Sequence, residues 1–247
     1  MYAKSTKVMK YLDLSFATPA MNLACDEALL ELCENGETDD ALLRIWEPQS
    51  HFVVLGHANR LRSEVNLVAC AENRISILRR LSGGGAVMQG PGCLNYCLIL
   101  NGHDHRLRNI NDTFRYVLER HRRLIGQMAG LDVRIEGISD LAVGGRKISG
   151  NAQYRKARCV LVHGTFLLNF DLSMIARFLR MPAKQPAYRQ HRPHAEFTTN
   201  LNLKSAQVRA GMRDSWNAVE EFSAVPFARM EALVKERYGR DEWSKKF

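Results

Sequence analysis

Three short segments hold most of the residue types that could do chemistry. The first is Arg79-Arg80-Leu81-Ser82-Gly83-Gly84-Gly85, two guanidiniums and a hydroxyl running into three glycines. Glycine lets a backbone take positive φ and approach a ligand closely. Successive N–H groups in such a turn can form a concave nest for an anion, and arginine adds planar charged forks suited to phosphate or carboxylate. The segment reads as a site for an anionic ligand, above all one carrying phosphate. The second is Gly144-Gly145-Arg146-Lys147-Ile148-Ser149-Gly150-Asn151-Ala152-Gln153. Here small neighbours let a substrate pass close to the Lys147 ammonium. In a strand, Ser149, Asn151 and Gln153 share one face, and Lys147 and Ile148 point to opposite faces. The third is Val162-His163-Gly164-Thr165, a histidine within an apolar strand. Taken singly, each has a plain structural reading: a tight hairpin, an exposed turn lysine, a core histidine bonded to backbone. The first is not a Walker loop, since no Gly-Lys-Ser/Thr closes it, nor a dinucleotide fingerprint, since the third glycine is missing.

These segments need elements to position them. Thr18-Pro19 starts a helix, Met21, Leu23, Ala24, Ala28, Leu29 and Leu32 form its apolar stripe, and Asn35-Gly36 ends it. Residues 42–46 and 52–55 are apolar runs around Pro48-Gln49-Ser50 and read as paired strands. Residues 63–72 read as a helix, and 75–78 as the strand that delivers the chain to the arginine–glycine run. Strands at 86–88 and 94–100 are separated by Gly90-Pro91-Gly92. Asn111 or Asp112 caps the next helix, which buries Phe114, Val117, Leu118, Leu124, Ile125 and Met128. Strands at 131–135, 141–143, 147–149 and 160–168 follow, then a helix at 171–180. Residues 181–200 form a long irregular loop, of a length common in lids and binding segments. Helices near 203–221 and 225–239 finish the chain, and residues 1–14 read as an extended start. The expectation is one α+β domain over 1–247, with a mixed, largely antiparallel sheet flanked by helices.

Composition narrows the classes. A net charge of +9 favours an anionic ligand or an acidic partner. Basic and acidic residues are interleaved, and no nucleic-acid-binding signature accompanies them, so nucleic acid is not expected. No apolar run is long enough for a membrane span, and the first residues lack a secretory h-region, which points to the cytoplasm. The six cysteines, at 25, 33, 70, 93, 97 and 159, are widely spread and read as mostly buried free thiols in a reducing compartment. Cys93-x-x-x-Cys97 has no second pair at zinc-site spacing.

In their order, Arg-Arg-x-Ser-Gly-Gly-Gly-Ala-Val, Gly-Arg-Lys-Ile-Ser-Gly-Asn-Ala-Gln and His-Gly-Thr resemble the catalytic domain of the lipoate–protein ligase A family, related to biotin–protein ligases and lipoyl/octanoyltransferases. Met21-Asn22-Leu23-Ala24-x-Asp26-Glu27, residues 46–56 and Thr199-Asn200-Leu201 match further family segments, so the likeness runs over about residues 10–215. The resemblance implies a fold like the class II aminoacyl-tRNA synthetase core. It implies a two-step reaction, in which lipoate or octanoate attacks the α-phosphate of ATP and a lysine of an acceptor lipoyl domain then takes the acyl group. Lys147 matches the family's essential lysine. Arg80, with Gly83, Gly84, Gly85, Ala86, Val87 and Met88, is implied to hold the nucleotide phosphate. Asp140 is implied to orient Lys147 or a Mg²⁺, and Asn95, Ser149, His163 and Thr165 complete the implied binding set. No metal ligands are assigned. The partners implied are a lipoyl-domain protein, acidic around its lysine, and a separate accessory ligase subunit, because the family's small C-terminal domain has no counterpart here.

Departures from the pattern keep rivals in view. Gln89 stands where many ligases have His, Ser139 replaces Asn, and residues 90–96 look more transferase-like. An octanoyl- or lipoyltransferase passes its acyl group through a cysteine thioester, which needs a placed thiolate. Residues 98–146 and 160–247 contain no cysteine, so the ligase is the reading preferred, with Cys93 and Cys159 as the thiols that fold proximity could still supply. A biotin ligase lacks support because its Gly-Arg-Gly-Arg motif is absent. A basic binding module, for RNA or a protein, would keep its binding when Lys147 is lost. The loop containing Tyr188, Arg189, Arg192 and His194 reads as a lid over an acyl-adenylate, a dock for the acceptor, or a solvated loop, and His191-x-x-His194 lacks the further ligands a metal needs.

Overall fold

The computed structural model describes residues 9–247, and the expected extension over 1–8 lies outside the described residues. Eleven strands are described: β1 (Met9–Asp13), β2 (Ala41–Trp46), β3 (Phe52–Leu55), β4 (Ser76–Arg79), β5 (Val87–Gln89), β6 (Cys93–Asn101), β7 (Val133–Glu136), β8 (Asp140–Val143), β9 (Arg146–Arg155), β10 (Cys159–Leu167) and β11 (Ala218–Glu221). The helices are α1 (Pro19–Glu34), α2 (Leu61–Glu64), α3 (Leu67–Glu72), α4 (Ile110–Ala129), α5 (Ser173–Phe178), α6 (His194–Phe197), α7 (Ser205–Trp216), α8 (Phe227–Leu233) and α9 (Asp241–Ser244).

Eight strands form one sheet in the order β11-β1-β2-β6-β10-β9-β8-β7, and β4-β3-β5 form a second. In the large sheet only β1 pairs in parallel, with β2 and β11; the other neighbours are antiparallel. This is the mixed, largely antiparallel α+β arrangement expected from the sequence. Side chains alternate across a sheet, which gives the large one two faces. One carries Leu43, Ile45, Leu98, Val160 and Val162 against α4 and α7. The other carries Leu42, Ile99 and Leu161 against α1 and α8. Thr18 caps α1 through its hydroxyl and Pro19 occupies the first turn, as the Thr-Pro pair predicts.

Several expectations need correction. Residues 42–46 and 52–55 are strands but are not paired: β2 joins β1 and β6, whereas β3 joins β4 and β5. Each is buried along its length, so an apolar run could not say which sheet it would enter. The cap of α4 is Asn109, whose side chain accepts from the Asp112 N–H, two residues before the expected one. Residues 217–221 leave the helix, because Asn217 takes a left-handed φ of 50° and turns the chain into β11. The loop at 181–200 contains α6 and a short turn of helix at Ala187–Arg189. Cys33 and Cys159 form a disulfide between the end of α1 and the start of β10, and Cys25, Cys70, Cys93 and Cys97 are free and buried. No helix among the described residues is long and apolar enough to cross a membrane.

Candidate active site

The three sequence segments meet on the α1 face of the large sheet. Strand register explains how. Trp46 faces Asn95, Asn95 faces Thr165, Thr165 faces Gly150 and Gly150 faces Asp140, a single row across five strands. The row two residues further along is Arg44, Cys97, His163 and Ala152. Beyond it come Leu42, Ile99 and Leu161. The face therefore passes from apolar packing to polar groups over three steps of the strands.

Lys147 reaches this face through an irregularity. Between β8 and β9 the register shifts: Leu141 faces Ser149, but Ala142 faces Lys147, which leaves Ile148 as an extra residue. Strict alternation would put Lys147 on the same side as Ser149. The bulge re-aims it, and Ile148 goes into the core of the opposite face. The ammonium lies over Gly150, where an added Cβ would stand 2.7 Å from Nζ. It pairs with Asp140 Oδ1 at 2.8 Å, and Tyr188 donates to Asp140 Oδ2 at 2.7 Å. Both carboxylate oxygens are thus engaged. Burial first, and Asp140 second, push the Tyr188 phenol upward, which keeps its proton on the donating side.

The arginine–glycine run divides its labour. Arg79 is fully buried and donates to the carbonyls of Gly56, His57, Asn59, Trp243 and Ser244. Arg80 turns back on its own loop, donating to Gly83 O at 2.6 Å, Gly85 O at 2.9 Å and Ser82 Oγ at 3.1 Å. Burial brings its guanidinium down to about 10, still charged at neutral pH. These bonds draw two carbonyls inward, and the N–H groups of Gly84 and Gly85 have no partner among the described residues. Gly84 has φ +89°, and nothing stands within 4 Å of a Cβ added at Gly83 or Gly85. The loop is an open cradle, with Arg80 as its internal brace. Ser82 Oγ accepts from Arg80 Nε and lies 2.6 Å from His163 Nε2. His163 Nδ1 faces Asp26 Oδ2 at 3.7 Å, and Asp26 in turn pairs with the fully buried Arg44.

A cavity of about 610 Å³ joins these groups. Arg80, Gly84, Gly85, Ala86, Val87, Asn95, Asp140, Lys147, His163 and Thr165 line it, and Leu23, Trp46 and Val54 supply an apolar wall. Gln89, Asn95 and Thr165 close a ring: Gln89 Nε2 donates to Thr165 at 2.7 Å, Thr165 to Asn95 Oδ1 at 2.5 Å, and Asn95 to Gln89 Oε1 at 3.1 Å. Gly83 and Met88 flank the cradle without lining the cavity, and Met88 is buried. Ser149 does not fit the expected site. It is 1% exposed, donates to Asn151 Oδ1 at 3.3 Å and does not itself line the cavity that Asn151 and Lys147 line. Asp26, Ser82 and Tyr188 contact the site residues although no role was assigned to them from the sequence, where Asp26 stood in the first-helix segment, Ser82 in the arginine–glycine run and Tyr188 in the 181–200 loop. Among the described residues no three His, Cys, Asp or Glu side chains group as metal ligands. His194 has both ring nitrogens engaged, with Arg189 and with the Arg180 carbonyl.

No cysteine lines the cavity. Burial pushes the Cys25 thiol up to about 11 and the Cys93 thiol to about 12, and holds Cys97 well above its ordinary value. Cys97 lies in register beside His163 yet is fully buried, and Cys159 is in the disulfide.

A backbone cradle, a fixed lysine and an apolar wall thus share one cavity. The chain belongs to the family of the lipoyl protein ligase A/B catalytic domain, whose model matches residues 18–212. It is 30% identical to the lipoate–protein ligase 1 of Staphylococcus aureus, over 71% of this chain and 52% of the relative. It is 25% identical to the octanoyltransferase LipM of Brevibacillus brevis, over 95% of this chain and 98% of the relative. The chain thus spans about half the length of the curated ligases it matches and nearly all of the transferase. The fold is shared with a lipoate–protein ligase A crystallised with ATP (TM-score 0.81, 24% identity, 96% of this chain and 98% of that one). It is shared equally with the bi-partite lipoate protein ligase of Thermoplasma acidophilum, described with its E2 lipoyl domain (TM-score 0.81, 23% identity, 96% of each chain).

Proposed function

We propose that this chain is a lipoate–protein ligase that activates lipoate or octanoate with ATP and passes it to a lysine of a lipoyl-domain acceptor. The observation that carries this reading is the pairing of an open Gly84–Gly85 cradle with Lys147 in a cavity without a cysteine. In the first step the acyl carboxylate attacks the α-phosphate and pyrophosphate leaves. Lys147 sits between the two reacting anions and offsets charge as it builds, the kind of preorganised stabilisation that dominates many enzymes. The cradle's N–H groups take phosphate oxygens, and the wall of Leu23, Trp46 and Val54 takes the acyl chain. In the second step the acceptor amine attacks the acyl carbon and AMP leaves. Mg²⁺ would arrive on the nucleotide phosphates, keeping much of its water shell. Asp140, with both oxygens taken, is assigned to Lys147 rather than to the metal. The +9 charge favours an acceptor that is acidic around its lysine. The catalytic steps are assigned to residues of this one domain.

The second reading, an ATP-independent octanoyltransferase, draws on the near-full coverage of LipM and on Cys97 beside His163. Against it stands the absence of an accessible thiol, since the thiolate is the nucleophile. Incubation with ATP, Mg²⁺ and lipoate or octanoate separates the two: pyrophosphate release with acyl-AMP supports the ligase. No adenylate, together with a Cys97-linked acyl group from an acyl carrier protein, overturns it.

A further inference from the structure

The segment from Arg180 to Thr199 is bound to the lysine hairpin at four points. Tyr188 donates to Asp140 Oδ2 at 2.7 Å. Arg192 donates to Gly145 O at 2.8 Å. The Thr199 N–H donates to Lys147 O at 3.0 Å, and Thr198 bridges Lys147 in parallel. The same segment lines the cavity through Pro182, Gln185, Pro186 and Ala187. Of the four contacts, the tyrosine alone touches the ion pair that sets the position of the lysine ammonium.

We propose that Tyr188 is a positioning residue for Lys147, acting through Asp140, and that it couples the cavity-lining segment to the first chemical step. This rests on the ligase reading above. A carboxylate held at one oxygen can turn about its Cβ–Cγ bond. Held at both, its plane is fixed, and the direction from which Lys147 is held is fixed with it. The structure supplies a rigid second tether. The Tyr188 ring packs on Phe197 at a centroid distance of 5.0 Å and lies against the Gly137 turn, where an added Cβ would meet it at 3.8 Å. Asp140 is 8% exposed, so water competes little for either oxygen. Gly150, lacking a Cβ, leaves the space that Lys147 Nζ and Cε occupy, so the tether and not a side-chain wall sets where the ammonium lies. The hydroxyl is therefore needed for geometry rather than for folding, since the ring and its packing survive its removal.

The test measures adenylate formation by Tyr188→Phe, Asp140→Asn and the double variant in the full chain. Tyr188→Phe should lower kcat about tenfold, with KM for ATP and for the acyl acid within about twofold, as misplacement of a catalytic group without loss of binding does. Its thermal midpoint should stay within about 2 °C of the parent. The double variant should be no slower than Asp140→Asn alone, because residues that act in series do not add. An unchanged kcat in Tyr188→Phe, a fall in kcat that tracks a fall in thermal midpoint, or additive losses in the double variant would overturn the proposal. A parent protein that forms no acyl-AMP would instead overturn the ligase reading, so the two failures are distinguishable.

Discussion

The two faces of the large sheet both bury an apolar cluster but treat polar groups differently, and two histidines make the contrast concrete. On the α4–α7 face, His121 is fully buried among Tyr96, Phe166 and Trp216 and accepts from the Trp216 indole at 2.9 Å. No carboxylate is its partner, and burial drives it down to about 3. It stays neutral and serves packing. On the α1 face, His163 lines the cavity between Ser82 and Asp26, and the buried polar groups around it have partners: Asp26 with Arg44, Glu27 with Tyr238 and Arg237, and the neutral Asn22 with Arg44 and Phe16. Both faces bury apolar area, and the α1 face in addition fixes charges in place. Buried ion pairs of this kind are weak sources of net stability, but breaking one is expensive.

Perturbing each face should give different signatures. The largest effect is expected for Asp26→Ala, which leaves Arg44 buried with only neutral acceptors. Stability should fall by about 3–5 kcal/mol in urea titrations. A loss below about 1 kcal/mol would mean that the polar network is not holding α1 to the sheet. Lys147→Ala should lower the rate of adenylate formation by about 10²–10³-fold with the unfolding midpoint nearly unchanged, measured as pyrophosphate release. A parallel loss of stability would assign the lysine to folding instead.

The third effect is a pH dependence on the packing face. His121 has a folded value below its unfolded one, so the unfolded chain takes up a proton first as pH falls. Stability is fully present above the unfolded value of about 6.5 and drains away toward the folded value of about 3. Between pH 6.5 and 5 this amounts to about 2 kcal/mol. His121→Gln, which keeps an acceptor for Trp216, should flatten that part of the pH–stability curve; an unchanged slope would place the acid sensitivity elsewhere. The smallest effect is Gly150→Ala. Its Cβ would stand 2.7 Å from Lys147 Nζ and 2.8 Å from Cε, the far end of a flexible side chain. The lysine should give way and the fold should not. A loss of about tenfold in kcat with little change in stability is expected, and full activity would show that the lysine's resting position is not its working one.

The division between what the sequence revealed and what it concealed follows the same line. The glycine cradle, the lysine hairpin and the helix after Thr18-Pro19 depend on local backbone chemistry and were legible. The bulge that swings Lys147 across the sheet was not, because it exists only in the register between β8 and β9. Ser149 was misplaced for that reason. Arg80 was expected to hold phosphate directly, but its donors brace the loop carbonyls, a choice that only the folded turn reveals. Adjacent apolar runs suggested a hairpin at 42–55, whereas burial of both strands allowed them to enter different sheets. The Cys33–Cys159 pair joins residues 126 apart in sequence, a distance over which spacing carries no information about pairing.

The central claim is that the cradle and Lys147 serve one acyl-adenylate. The most direct test incubates the purified chain with α-labelled ATP, Mg²⁺ and either lipoate or octanoate, without any acceptor protein, and separates the products. The account predicts labelled acyl-AMP and an equal amount of pyrophosphate from the parent, and neither from Lys147→Ala. Acyl transfer to a lipoyl domain from an acyl carrier protein with no labelled adenylate, abolished by Cys97→Ala, would contradict it.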